Sequence, residues 1–262
     1  MGILNATPDS FSDGGLYSNC DDAVRRALEM EEDGADIIDV GGESTRPGAA
    51  SQSAEEELGR VIPVIEGLRK RSSIPVTIDT TKARVAAEAL DAGADGINDI
   101  SGFTFDPDMT GLAAKRDCPV VVMHIKGTPR TMQREPVYDD VVEDIRTFLK
   151  ERAAALMNAG LDRGRIIIDP GIGFGKTVEH NLILIARLGR FKDLGFPVLV
   201  GASRKSFIGK LLDLPTGERL EGSLASAAIS AWNGADILRV HDVKQTYRTL
   251  QIVGSFKKHA GG

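Results

Sequence analysis

Short apolar runs, many of them β-branched, recur along the chain at Met1–Leu4, Ala35–Val40, Pro75–Ile78, Gly96–Ile97, Val120–Met123, Ile166–Ile168, Pro197–Val200 and Ile237–Val240. Their apolarity is continuous rather than alternating, the pattern of a strand buried on both faces, as in a parallel sheet covered by helices. The segments between them carry a helical period. Leu58, Val61, Ile62, Ile65 and Leu68 share one face, introduced by a Ser53-x-x-Glu56 capping box. Three joins have one form, Asp33-Gly34-Ala35-Asp36, Asp91-Ala92-Gly93-Ala94-Asp95 and Asn233-Gly234-Ala235-Asp236, with glycine where a helix stops and a strand begins. Eight βα units in 262 residues favour a (β/α)8 TIM barrel over an open doubly wound sheet, because the closed form typically takes about 250 residues. No linker or change of composition marks a boundary, so the expectation is a single barrel domain over residues 1–262.

In such a barrel the site lies at the carboxyl ends of the strands. The residues leaving the eight runs are polar nearly throughout: Asn5, Gly41-Gly42-Glu43, Asp79, Asn98-Asp99, His124, Asp169, Ser203-Arg204-Lys205, and Arg239 with His241. A closed core has no use for them. The first two βα connections, Thr7–Tyr17 and Gly41–Ser53, are longer and richer in Gly, Ser, Asp and Pro than a tight turn needs, which predicts lids.

Composition narrows the partners. A formal net charge of −6 argues against a surface that tracks a nucleic-acid backbone. Cys20 and Cys118 show no metal-ligand spacing and make no disulfide framework, which fits a reducing compartment, read as the cytoplasm. The start lacks a basic region followed by an apolar stretch, and no apolar run is long enough to span a bilayer, so neither export nor insertion is expected.

Two groupings carry chemistry. Arg46, Lys205, Arg239 and His241, scattered in sequence, meet at one rim in a barrel and describe an anion site, since the loops after strands seven and eight are the usual phosphate cradle. The alternative is solvated rim pairs. Asp79, Asn98 and Asp169 are each flanked by apolar strand residues and suit the amino-pyrimidinone edge of a flat heterocycle, the carboxylates accepting its N–H groups. Asp79 is equally placed to cap a helix, and Asp169 to make a turn before Pro170.

Residues 169–177, DPGIGFGKT, nearly spell a phosphate loop, but proline stands where that pattern needs its first glycine. The glycines read instead as a tight loop over the mouth, with Phe174 as an apolar wall. The four histidines lack zinc spacing, His124 and His180 reading as structural, and Ser203 lacks a nucleophile elbow. Asn5 offers one neutral oxygen to a hard cation such as Mg²⁺, or caps a turn.

With these residues in view, the chain closely resembles the dihydropteroate synthase family from Asn5 to His241. The resemblance rests on residues 5–15 (NATPDSFSDGG), 42–48 (GESTRPG), Ile78-Asp79-Thr80, Asn98-Asp99, Asp169-Pro170-Gly171, Ser203-Arg204-Lys205-Ser206 and Arg239-Val240-His241. It implies condensation of 6-hydroxymethyl-7,8-dihydropterin diphosphate with 4-aminobenzoate in folate biosynthesis, by a homodimer of a family that sulfonamides target. It also implies roles. Asp79, Asn98, Asp169 and Lys205 would hold the pterin. Arg239, His241 and Asn5 with Mg²⁺ would hold the diphosphate. Thr45, Arg46, Pro47, Phe11 and Ser206 would border the aminobenzoate, and Asp13 would lie near the cation left when diphosphate departs.

The departures are few. Ala6 stands for a more usual valine and Ile125-Lys126 for Met-Gln, neither on an inferred ligand. Relatives usually carry residues before the first strand that plug the barrel, whereas this sequence opens on the strand. A pterin-binding methyltransferase and a non-catalytic pterin binder share the Asp/Asn pocket, but neither needs the cationic rim.

Overall fold

The structure, a computed structural model, describes residues 1–6, 16–45, 48, 52–134 and 136–260. The order is β1 (Gly2–Asn5), α1 (Leu16–Glu32), β2 (Ile38–Gly41), α2 (Ala54–Arg69), β3 (Val76–Asp79), α3 (Ala83–Asp91), β4 (Gly96–Asp99) and α4 (Met109–Arg116). It continues with β5 (Val120–Met123), α5 (Val141–Asn158), β6 (Ile166–Asp169), α6 (Val178–Ala186), α7 (Gly189–Lys192) and β7 (Leu199–Val200). The last elements are α8 (Ser206–Leu212), α9 (Leu220–Trp232), β8 (Ile237–Leu238) and α10 (Val243–Ala260). Each strand falls on one of the eight apolar runs.

Strands β1 to β6 pair in sequence order, all parallel, and β7 pairs with β8. Two seams close the ring. Ile168 N–H donates to Pro197 O at 2.9 Å between β6 and β7, while Ile3 N–H donates to Val240 O at 2.9 Å and Val240 N–H to Met1 O at 3.0 Å between β8 and β1. The result is the (β/α)8 barrel expected.

Both faces of the strands are buried, as the continuous apolar runs require, but against different partners. Leu4, Ile38, Ile78, Ile97, Val122 and Val200 join the large core between strands and helices. Met1, Val121 and Leu199 pack with Ile37, Ile167 and Ile237 in a separate cluster inside the ring. Because a strand returns to one face every second residue, the inward position two residues beyond Ile37 is Asp39, beyond Ile167 is Asp169 and beyond Ile237 is Arg239. The barrel is therefore apolar inside at its amino end and charged at its carboxyl end.

The repeated joins are one structure used three times. Ala35, Ala94 and Ala235 N–H donate to Met30, Ala89 and Ser230 O, each at 2.9 Å, around Gly34, Gly93 and Gly234 with φ of 102°, 112° and 108°. This six-to-one bond is the helix-ending motif that needs a left-handed residue. The capping box of α2 forms as predicted, Glu56 N–H donating to Ser53 Oγ at 3.2 Å and Ser53 N–H to Glu56 Oε2 at 2.9 Å.

Candidate active site

The pairing register sets Asn5, Gly41, Asp79 and Asn98 side by side at the carboxyl end of the barrel, and Asp169 beside Met123. Arg239 reaches across from β8. Its Nε donates to Asp39 Oδ2 at 2.5 Å and its Nη2 to Asp79 Oδ2 at 2.6 Å. Asp39 also accepts from Thr77 Oγ1 at 2.5 Å and Asn98 Nδ2 at 3.0 Å. One guanidinium thus serves two buried carboxylates. Burial pushes Asp79 up to about 7, Arg239 pulling it back and the Asp39 charge adding to the rise. Asp79 caps no helix: α3 starts at Ala83, whose N–H donates to Asp106.

Asp169 is buried at 5 % exposure, and its carboxyl is held above its ordinary value by that burial, with Lys205 opposing. Its Oδ1 accepts Gly171 N–H at 2.7 Å, which is the turn reading, and the charges of Lys205 and Lys176 act on the same carboxylate. Lys205 donates to Ile172 O and sits over the Phe174 ring, 4.4 Å from its centre. Burial brings its ammonium down to about 7, partly offset by Asp169.

The turn after β6 wraps tightly. Gly171 has φ 70°, and a Cβ there would stand 2.0 Å from His124 O; at Gly175, with φ 66°, it would stand 2.7 Å from Lys126 O. Lys176, which the sequence offered only inside the phosphate-loop look-alike, is buried, donates to Phe174 O at 2.9 Å and lies 3.1 Å from His124 Nδ1. Burial holds its ammonium well below the lysine range, and the burial of His124 itself, then the Lys176 charge, lowers that imidazole to about 2. His124 is structural, as expected, and His180 sits in the capping box of α6.

Ser203 is a prop rather than a nucleophile: its Oγ accepts His241 N–H at 3.2 Å and lies 3.0 Å from His241 Nδ1. Burial, then the Arg239 charge, lowers His241 to about 4. At neutral pH it is therefore a hydrogen-bonding imidazole, and among the described rim residues the positive charge comes from Arg239 and Lys205. Ser206, exposed, begins α8. Arg204, with φ 56°, turns away to form a paired contact with Asp242.

Ile100, Met123, Ile125, Met132 and Phe174 form a compact apolar cluster beside these polar groups. Ile125, one of the departures from the family pattern, thus shares the wall with Phe174. At the root of the second βα loop, Lys82 donates to Glu43 and, at 2.7 Å, to the fully buried Glu57, while Glu43 Oε1 accepts Gln52 N–H at 3.2 Å. Thr45, half-buried, follows this anchor. Phe11, Asp13, Arg46 and Pro47 lie outside the described residues, with residues 7–15 of the first predicted lid and 46, 47 and 49–51 of the second.

Among the described residues no three His, Cys, Asp or Glu side chains converge as a metal cage. Asn5, with no side-chain partner among them, brings one neutral oxygen to the rim, which suits an ion that takes its other ligands from an anion and water. No helix among them is long and apolar enough to cross a membrane.

A closed parallel barrel whose carboxyl end carries, among the described residues, an apolar cluster, a row of acceptors and the cations Arg239 and Lys205 defines a barrel enzyme for an anionic heterocycle. Residues 1–241 match the family described as pterin binding enzyme. The chain is 51% identical over 245 residues to the dihydropteroate synthase of Synechocystis sp., covering 93% of this chain and 85% of the relative. The solved structure of Yersinia pestis dihydropteroate synthase with a sulfonamide drug complex is similar at TM-score 0.93 and 47% identity, over 98% of this chain and 94% of that one. Xanthomonas albilineans dihydropteroate synthase with 4-aminobenzoic acid is similar at TM-score 0.92 and 45% identity, over 98% and 92%. The chain belongs to the dihydropteroate synthase family of pterin-binding enzymes.

Proposed function

We propose that the chain is the transferase that condenses 6-hydroxymethyl-7,8-dihydropterin diphosphate with 4-aminobenzoate, giving 7,8-dihydropteroate and diphosphate in folate biosynthesis in the cytoplasm. The observation that carries this reading is the convergence of Asp79, Asn98, Asp169, Lys205 and Arg239 on one barrel mouth, Asp79, Asn98 and Arg239 joined by hydrogen bonds directly or through Asp39, and Asp169 coupled to Lys205 and Arg239 by charge. Asp79 and Asp169 accept ring N–H groups, and the Phe174 cluster covers a ring face. The C–O bond to diphosphate breaks with its electron pair leaving on oxygen, Arg239 and Lys205 stabilise that charge, and His241 donates an N–H. The arylamine nitrogen then bonds the pterin methylene and loses its proton. No protein nucleophile is needed. By the family resemblance Thr45, Arg46, Pro47, Phe11 and Ser206 would border the arylamine, where sulfonamides would also bind, and Asp13 would act near the methylene cation. The cationic rim, Lys205 and Arg239 among the described residues, disfavours a methyl transfer that has no leaving anion.

Asn5 would hold Mg²⁺, which when bound would neutralise diphosphate charge. Incubating the chain with both substrates and Mg²⁺ is expected to yield equal amounts of dihydropteroate and diphosphate; no product near neutral pH overturns the reading. Calorimetry with diphosphate alone is expected to show binding at least about tenfold tighter with Mg²⁺ than without, and Asn5→Ala is expected to erase most of that difference.

A homodimer completes this reading. Helices α9 and α10 leave a groove of about 530 Å³ whose walls include Ile229, Trp232, Ile252, Val253 and Phe256. Ile252 and Phe256 are 61% and 65% exposed, an apolar patch of the kind that a second copy covers. Sedimentation is expected to give a dimer for the native chain and a monomer for Ile252→Glu/Phe256→Glu; an unchanged dimer would place the interface elsewhere.

A further inference from the structure

We propose that Asp39 is a positioning residue that fixes which end of the Asn98 amide faces the pocket, so that the site presents an acceptor to the heterocycle. The inference deepens the pterin reading above and rests on it.

Asp39 has no solvent exposure and stands one inward layer below the mouth, level with Thr77, while Asn98 stands level with Asp79. Its two oxygens take three donors: Thr77 Oγ1 on Oδ1, and Asn98 Nδ2 with Arg239 Nε on Oδ2. A carboxylate can only accept, so the amide must turn its NH2 group inward. The other end of that planar amide, Oδ1, is thereby directed away from Asp39 and toward the mouth. The Arg239 contact adds a second constraint: with Nε held by Asp39, Nη2 is delivered to Asp79. Asn98 alone would read a donor or an acceptor equally well. Seated on Asp39, it reads a ring N–H.

The experiment exchanges the two side chains and measures binding of oxidised 6-hydroxymethylpterin by its fluorescence. In Asp39→Asn/Asn98→Asp the acid at position 98 presents an oxygen to the ligand and accepts from the amide at position 39. Each single change is expected to weaken binding at least about tenfold, and the exchanged pair to return to within about threefold of the native chain. An exchanged pair no better than the weaker single variant overturns the role of Asp39. A native chain that fails to bind the pterin overturns the functional reading instead. Should a single variant fail to fold, the native chain supplies the second measurement. The side-chain amide protons of Asn98 are expected to keep their resonance positions and slow solvent exchange when the pterin is added, because they stay on Asp39. Their transfer onto the ligand, seen as large shifts of both protons, overturns the proposal.

Discussion

Replacing Arg239 by methionine is expected to reduce activity and stability together. The guanidinium is the counter-charge of two carboxylates, Asp39 at 0% and Asp79 at 10% side-chain exposure. Removing it leaves both buried without their cation, a change that costs on the order of 3–5 kcal/mol when one partner of a buried pair is lost. In the proposed reaction the same group meets the charge developing on diphosphate, and loss of one such donor lowers kcat by about 10²–10³. Urea unfolding and kcat/KM, measured on one preparation, check both halves. Unchanged kcat/KM would remove the role given to Arg239 in catalysis, and unchanged stability would mean that the two carboxylates find other partners. Arg239→Lys keeps the charge but not the fork that spans Asp39 and Asp79, so it is expected to fall between the two.

The second large effect is at Lys205, and it depends on pH. Both Lys205 and Asp79 titrate near 7, the lysine brought down by burial and the carboxyl brought up by it. Holding diphosphate needs Lys205 charged, which is lost as pH rises through about 7; accepting a ring N–H needs Asp79 ionised, which is gained over the same range. A narrow bell in kcat/KM centred near neutrality is expected. Lys205→Met is expected to lower kcat/KM by about 10² at neutral pH and to abolish the alkaline limb.

Stability takes the opposite form. Asp79 binds its proton more tightly folded, at about 7, than at its ordinary 3.8, so stability falls as pH rises from about 4 to 7. Lys205 binds its proton less tightly folded, at about 7, than at its ordinary 10.5, so stability rises from about 7 to 10.5. These two groups together place a minimum of unfolding free energy near pH 7, where the bell in kcat/KM is expected to peak. Chemical denaturation across pH is expected to show that minimum, with Asp79→Asn removing its acidic side and Lys205→Met its alkaline side.

The strands were legible because burial on both faces leaves a largely apolar run, and the three joins because a left-handed residue after a helix is most often glycine, although Asp117 and Asp213 fill that place after α4 and α8. The rim was legible for a related reason: Asp79, Asn98 and Asp169 each follow an apolar run at the point where the barrel opens, and Arg239, although inside the run Ile237–Val240, stands one residue from its end and two before His241. Asp39 was not, because it lies inside the run Ala35–Val40 and a criterion of mean apolarity passes over one polar residue. Only the inward register sets it against Thr77 and Asn98. Arg239 was legible as a cation but not as the partner of two acids, since its contacts span 200 and 160 residues. His241 looked like part of the positive rim; its burial beside Arg239 makes it neutral.

The turn after β6 has a consequence for inhibitor escape. A side chain at 171 would collide with the backbone oxygen of His124, and one at 175 with that of Lys126, in backbone conformations already foreign to L-residues. Neither oxygen belongs to a side chain that can swing aside. A compound that takes its purchase from the main chain of this turn would press on ground where a single codon change breaks the enzyme before it loosens the drug.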